Sequence, residues 1–517
     1  MKKNWIMMFF CLVFMSFCSE GEEILSLPTE EKQAVSYYID ATAGNDVNNG
    51  TSPEKAWRSI DRVKNLKLAP GDRVLLKRGE SFYGELHISG KGQKDKPIVI
   101  DGYGTSDKKP CVIGTSSSMY AVYILNSEYI EVKNLEIVNT GSQPVAFRTG
   151  IKVHLNDYGV AKSTLLQGLD IRDVNGSLLK SAGGGSGILI ENGGARVPSA
   201  FDGLIIEDCT IRRCQRNAMI WASDYYSRKK WFPSYNVTVR RNLIEEVPGD
   251  GIVPIGCVGT LVEYNIMRKC PDLLPQSPPE AAAGIWPWSC DDTVIRFNEV
   301  SDHKAPWDGQ GYDSDYNCRN TVIEYNYSHD NQGGFLLICN AGSESADVNI
   351  GNSATIVRGN ISLNDGTRTR KVHTGDFFAP IIHISGPLAN TRIYQNILHV
   401  NEVKELGGHQ SFISFTSWDG FPDRTMMTNN VFYSNAPCGF KESSSTNNLF
   451  EGNYYLEQAD VVSSDKKAFR KNKVYEAMLQ NDKIGYDALR PFLQEIKMPV
   501  GTLVTVDRDK IDSFFAK

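Results

Sequence analysis

One twelve-residue pattern returns eight times between residues 203 and 435, and it limits the fold more than any other feature of the chain. The copies are GLIIEDCTIRRC (203–214), NVTVRRNLIEEV (236–247), GTLVEYNIMRKC (259–270), DTVIRFNEVSDH (292–303), NTVIEYNYSHDN (320–331), ATIVRGNISLND (354–365), NTRIYQNILHVN (390–401) and RTMMTNNVFYSN (424–435). Each opens with apolar or β-branched residues in alternation, the period of a half-buried strand. An asparagine then stands three residues after the last inward position: Asn242, Asn265, Asn298, Asn326, Asn360, Asn396 and Asn430, with Cys209 in that place in the first copy. Successive anchors are 23 to 36 residues apart, enough for one turn of a coil with loops of varying size. Asparagine tolerates left-handed backbone, and its amide can bond the same residue one coil above and below, so a stacked ladder explains the choice.

Helical periodicity is nearly absent from 100 to 460. The architecture expected is therefore an all-β, right-handed parallel β-helix whose coils stack about 4.8 Å apart and bury their apolar faces on one another. A sandwich or propeller accounts for the asparagines less directly. The β-helix is expected over 37–460, with a short N-terminal capping helix around AWRSIDRVKNL. A C-terminal capping segment, 461–517, carries the helical pattern VYEAMLQNDKIGYDALRPFLQEI.

The net charge of −6, with 22% charged residues, gives no basic excess, so nucleic acid is not an expected partner. Lys2 and Lys3 precede an apolar run from Trp5 to Phe17 that is too short to span a bilayer, and residues 1–18 read as a secretory signal. Cys18 is a candidate for lipid modification, and the SEGEE that follows resembles the acidic tract of surface lipoproteins in gut-type bacteria. Export is expected, to the outer-membrane surface or the periplasm, with residues 19–36 as a flexible linker. Contact with a membrane would come only through that anchor, and a monomer is expected. Setting aside Cys11 and Cys18, nine cysteines remain without CxxC or zinc-type spacing, so no disulfide framework or metal cage follows. Cys209, Cys214, Cys270, Cys318 and Cys339 read as small apolar core residues.

A second strand follows each asparagine turn: SGILIE (186–191), NAMIW (217–221), DGIVPI (250–255), AGIWPW (283–288), QGYDSD (310–315), GGFLLI (333–338), APIIHI (379–384) and SFISF (411–415). With Ile188, Ile252, Ile285 and Phe335 inward, period two turns Trp286 and Trp288 outward in one coil and Asp313 and Asp315 outward in the next. Trp221, Ile255 and Ile338 extend that stripe, which suits a sugar-binding groove unless the loop PDLLPQSPPEAA covers it. Carboxylates two residues apart on one strand face lie roughly 6–7 Å apart at Cα. Their mutual repulsion can leave one as proton donor and the other as base, the division glycoside hydrolysis requires, and a carboxyl separation above about 6.5 Å would favour inversion. Asp308, on the loop entering the strand, is within reach of the same groove. Asp313, Asp315 and Asp308 are thus the catalytic candidates. Trp286, Trp288, Trp221, Trp307, Asp250, Lys304 and His383 are the substrate-binding candidates, although alternation with Ile381 inward turns His383 toward the core.

The opening segment YYIDATAGNDVNNGTSPEKAWRSIDRVKNLKLAPGDRVLLKRGESFYGELHISGKGQKDKPIVIDGYG resembles that of bacterial right-handed β-helix polysaccharide lyases and glycoside hydrolases. HKAPWDGQGYDSDYNCRNTVIEYNYSHDNQGGFLLICN, together with GDGIVPIGCVGTLVEYN and AAAGIWPW, resembles secreted bacterial β-helix proteins described as glycosidases. The resemblance implies a carbohydrate-active enzyme, acting on a plant or host polysaccharide or oligosaccharide, with the aspartates of the DGxxxDxD segment in its site. The paired Asp-Asp and Gly-His-Gly of polygalacturonase-type β-helices are missing, since Asp291 and Asp292 fall in a turn. A glycoside hydrolase without cofactor is the leading reading. The alternative is a lyase in which Asp308, Asp313 and Asp315 hold Ca²⁺ and Lys304 takes a proton from a uronate; the basic stretches YYSRKKWFPSY and RTRK could meet such a glycan. A noncatalytic glycan-binding solenoid, with or without structural calcium, is the second alternative.

Overall fold

The computed structural model describes residues 33–471; the secretory signal, most of the linker and most of the C-terminal segment expected above lie outside the described residues. Three sheets run the length of the coil, and every strand pairing is parallel and joins one coil to the next. The first extends from Ser36–Ile39 to Leu449–Glu451 and the second from Ser81–Tyr83 to Tyr454–Ala459. The third runs from Leu86–Ile88 through Ser186–Gly193 and Asn217–Ser223 to Ile252–Val253. Single-residue bridges from Ile252 to Ile285 and from Ile285 to Tyr312 carry it on to Gln310–Ser314, Gly334–Cys339, Ala379–Ser385 and Gln410–Thr416. This is a right-handed parallel β-helix, the hand that parallel crossovers adopt.

Period two and the repeat spacing build its core directly. Val132, Leu166, Ile206, Val239, Val262, Ile295, Ile323, Val357 and Ile393 are register partners in successive coils of the first sheet, each fully buried. On the outer face of that sheet the register alternates charge, Glu207, Arg240, Glu263, Arg296, Glu324, Arg358, so that unlike charges always stand opposite. Arg240 bonds Glu207 at 2.7 Å and Arg296 bonds Glu263 at 2.9 Å.

The asparagine ladder forms. The Nδ2 of each residue donates to the Oδ1 of the next through Asn242, Asn265, Asn298, Asn326, Asn360, Asn396 and Asn430, at 2.9–3.0 Å. The series continues one coil further than the repeat reading took it, to Asn453 at 3.1 Å, and ends on the Asp465 carboxylate at 2.9 Å. The backbone reason given for asparagine needs correcting. The left-handed conformation falls on the preceding residue, as at Arg241, Tyr264, Phe297, Tyr325, Gln395 and Asn429, while the asparagines are chosen for their side chains alone.

The capping helix expected near the start is a 3-10 helix, Ile60–Asn65, with Ser59 accepting from the Asp61 N–H at 3.0 Å and Ile60 and Val63 turned into the core. In the third sheet the register departs from the simple overlay at one strand. Leu336, not Phe335, pairs with Tyr312, and both Phe335 and Leu336 are buried because the strand enters through Gly334 at φ +130°. Ile338 therefore points inward, and so does Trp221, paired with Ile190 and 1% exposed; neither belongs to the outer stripe. Ile382 and Ile384 face the core, which turns His383 outward, the reverse of the strict alternation from Ile381.

Candidate active site

Two outward rows of the third sheet form the floor of the site. In one, register places Val253, Trp286, Asp313, Leu337 and His383 in successive coils; in the other, Ile255, Trp288, Asp315, Cys339, Ser385 and Thr416. Asp313 and Asp315 thus stand one coil beyond Trp286 and Trp288, as period two requires. Above this floor lies a cavity of about 790 Å³. Its walls come from loops between coils, which contribute Lys180, Trp307 and Asp308, His373 and Phe378, and Trp418.

Asp308 is carried by a two-stranded ribbon, in which Ala281 and Ala282 pair with Trp307 and Asp308. The loop PDLLPQSPPEAA ends in this ribbon, so its last residues form a wall and the tryptophans still line the cavity. Asp308 has left-handed backbone at φ +56°, and its carbonyl accepts from the buried Arg368 guanidinium, which also bonds the Ala305 carbonyl at 3.2 Å. Only glycine fits at 333 beneath it, because a Cβ there would come within 1.7 Å of the Asp308 carbonyl oxygen.

The three aspartates differ in surroundings. Asp308 and Asp315 line the cavity, whereas Asp313 is 2% exposed in the floor, and its Oδ1 finds no hydrogen-bond partner among the described residues. Burial, followed by the charge of Asp315, pushes the Asp308 carboxyl up to about 7, against the pull of Lys180 and Arg368. Burial and then the charges of Asp308 and Asp315 hold Asp313 well above the carboxylate range. Asp315 is raised by burial too, but its Oδ1 accepts from the Cys339 thiol at 2.8 Å and from the Tyr316 N–H at 2.5 Å, both of which favour the charged form. Cys339 therefore faces the cavity and not the core. Its own thiol is pushed far up by burial and by the Asp315 charge, so it stays protonated as a donor.

Trp286 donates its indole N–H to the Asp250 carboxylate at 3.1 Å and carries the Lys180 ammonium 5.1 Å from its ring centre. Asp250 is fully buried behind the tryptophan, paired with Arg216 at 3.3 Å, and so does not reach the groove as the sequence suggested. Trp288 stacks against Tyr226 and Tyr316, with ring centres 4.9 and 5.1 Å away. Trp307 lines the cavity against His373 and Phe378. His383 bonds Thr416 Oγ1 at 2.8 Å, and burial pushes its imidazole down to about 4, so it is neutral at pH 7.

Lys304 is not on the cavity wall; its carbonyl accepts from Arg370, which pairs with Asp272. In the stretch YYSRKKWFPSY, Arg228 is taken up by Asp291, while Lys229 and Lys230 are exposed. Among the described residues, no three His, Cys, Asp or Glu side chains converge as metal ligands, so the calcium set of Asp308, Asp313 and Asp315 is not assembled. Lys180, His373, Phe378 and Trp418 escaped the sequence reading because they lie on loops, where periodicity says nothing about direction.

Comparison with known proteins places these features in context. A family model described as the right handed beta helix region matches residues 186–364. A lacto-N-biosidase from Bifidobacterium longum subsp. longum is 25% identical over 559 aligned positions, covering 89% of this chain and 33% of that protein. The chain thus spans about a third of the length of that relative. A shorter match, 38% identical over 64 residues, covers 12% of this chain and 11% of alpha-1,3-galactosidase A from Akkermansia muciniphila. Among solved structures, a GH136 lacto-N-biosidase from Eubacterium ramulus superposes with a TM-score of 0.59 and 24% identity, covering 77% of this chain and 67% of that one. The resemblance read from the sequence is supported at this level: what the chain matches are carbohydrate-active β-helix proteins.

Proposed function

We propose that this chain is a glycoside hydrolase whose proton donor is Asp308 and whose charged carboxylate is Asp315. The observation that carries the reading is the pair's shared cavity with opposed surroundings. Burial keeps a proton on Asp308 near neutral pH, while the Cys339 and Tyr316 donors favour charge on Asp315. In hydrolysis Asp308 gives its proton to the glycosidic oxygen as the bond to the anomeric carbon breaks, and Asp315 stabilises the positive charge developing on that carbon. Water then supplies the hydroxyl that replaces the leaving group, and its proton goes to a carboxylate of the pair. Asp313, buried and protonated, braces the floor between them. Trp286, Trp307 and Trp418 offer apolar faces to sugar rings.

The names of the relatives suggest the substrate class, a glycan bearing a lacto-N-biose unit; the basic and apolar opening of the sequence, Lys2 to Phe17, supports export. Support for hydrolysis over elimination comes from Lys304, the base the lyase reading required, whose place is outside the cavity. The test is product analysis on a nitrophenyl lacto-N-bioside and on glycans ending in lacto-N-biose, with and without chelator. Release of free lacto-N-biose that survives chelation and is abolished in Asp315→Asn is expected. Unsaturated products absorbing in the near ultraviolet would overturn the reading.

A further inference from the structure

A second cavity, of about 480 Å³, opens on the same sheet face toward the N-terminal coils and shares Ile255 and Trp288 with the first. Its floor continues the outer row that holds Asp315: stepping back by register from Trp288 come Ile255, Ala222, Glu191 and His154. At one coil per about 4.8 Å, Glu191 lies about 19 Å from Asp315 along this row, a distance that needs several sugar rings to cover.

We propose that this cavity is a second glycan-binding segment that takes an uncharged, hydroxyl-rich extension of the substrate cleaved in the first. The inference rests on the glycosidase reading for the first cavity and adds where the remainder of the substrate lies.

The groups in it are preset for hydroxyls. Burial holds His154 below the usual imidazole range, so at pH 7 the Tyr123 hydroxyl donates to its Nδ1 at 2.9 Å and its Nε2–H faces Glu191 Oε1 at 3.1 Å. The other oxygen of Glu191 is bound by Lys152 Nζ at 2.9 Å, which fixes the carboxylate in place. Asp224, exposed, also lines the cavity, beside Gly193, where any Cβ would come within 2.3 Å of its Oδ2. Asn192, 1% exposed and on the cavity wall, donates through Nδ2 to the Ser199 carbonyl at 2.8 Å, while its Oδ1 has no hydrogen-bond partner among the described residues.

Lys152 offsets Glu191, and Asp224 leaves one negative charge, so a uronate or other acidic sugar is repelled where a neutral one is accepted. At the junction of the two cavities Tyr226, 40% exposed, stacks on Trp288, an aromatic step over which a sugar chain can pass from one to the other. Ala222, small and exposed, keeps the floor between them open.

The test compares wild type with Asp224→Ala and Glu191→Gln on a nitrophenyl disaccharide and on a neutral six-sugar glycan ending in the same disaccharide. It reads kcat and KM, and it reads binding of the six-sugar glycan to Asp315→Asn backgrounds by calorimetry. The expected result is a KM for the six-sugar glycan about tenfold higher in Asp224→Ala, a change below twofold for the short substrate, and unchanged kcat for both. A six-sugar analogue with a uronate in the extension should bind at least tenfold more weakly than the neutral one. Equal KM for long and short substrates in wild type and variants, or preference for the acidic analogue, overturns the proposal. Length-dependent binding that is lost in Asp224→Ala without turnover of any glycan would keep the second segment and sink the hydrolase reading.

Discussion

The thiol of Cys339 donates to Oδ1 of Asp315 across 2.8 Å from the adjacent coil, so a buried cysteine helps to hold a cavity carboxylate in its charged form. Removing that donor makes ionisation of Asp315 harder. In Cys339→Ala the acid limb of the kcat profile should therefore move up by about 0.5–1 pH unit, and Cys339→Ser, which keeps a donor, should restore it. An unchanged profile in Cys339→Ala would show that the thiol only fills space.

Loss of the proton donor and loss of the charged carboxylate should be separable by leaving group. Asp315→Asn should lower kcat by roughly 10³-fold on every substrate. Asp308→Asn should do so on a sugar leaving group but far less on nitrophenol, which departs without protonation. Equal loss on both substrates in Asp308→Asn would remove Asp308 from the donor role.

Asp308 also makes a prediction about stability. Its folded pKa is raised to about 7, so the folded state binds a proton that the unfolded state releases near pH 4, and stability contributed by that proton is lost as pH rises toward and through 7. Asp308→Asn should leave the melting temperature unchanged near pH 4 and raise stability by about 1–3 kcal/mol at pH 8. Thermal melts at the two pH values check it; a variant less stable at pH 8 contradicts the burial argument.

In the ladder, Asn326 Oδ1 accepts from both nitrogens of Asn298 and its Nδ2 donates to Asn360 Oδ1 and the Ile295 carbonyl, all at 2.9–3.0 Å. Asn326→Leu keeps the size and strands these partners in a dry core, at a cost of about 3–5 kcal/mol. The exposed Asn401→Ala should cost less than about 1 kcal/mol. Denaturation midpoints of the two variants decide it.

The coil and its ladder were legible because both are periodic: alternation sets which residues enter the core, and the spacing of asparagines sets where each coil turns. The same periodicity put Asp313 and Asp315 one coil beyond Trp286 and Trp288. It failed where two consecutive residues both turn inward, Phe335 and Leu336 in one coil and Ile381 and Ile382 in the next; the first slip carried Ile338, and the second His383, to the wrong side. Trp221 was misread by a slip of register: Met219 pairs with Ile188 and Ile252, so alternation itself turns Trp221, two residues on, into the core. Asp250 looked like a groove carboxylate because its partner, Arg216, lies 34 residues away and on no shared motif. The cavity walls, from Lys180 to Trp418, lie on loops whose paths depend on tertiary packing.

The ladder has a direction. Every amide from Asn242 to Asn453 gives its N–H forward and receives at its oxygen from behind, and the last donates to an anion, Asp465. Turning one amide end for end would set N–H against N–H on one side and oxygen against oxygen on the other, so the amides hold their orientation jointly. Aligned dipoles in such a chain strengthen one another, and the carboxylate at the end fixes the sense of the whole row. A single acidic residue beyond the last full coil thereby biases the orientation of side chains many coils away.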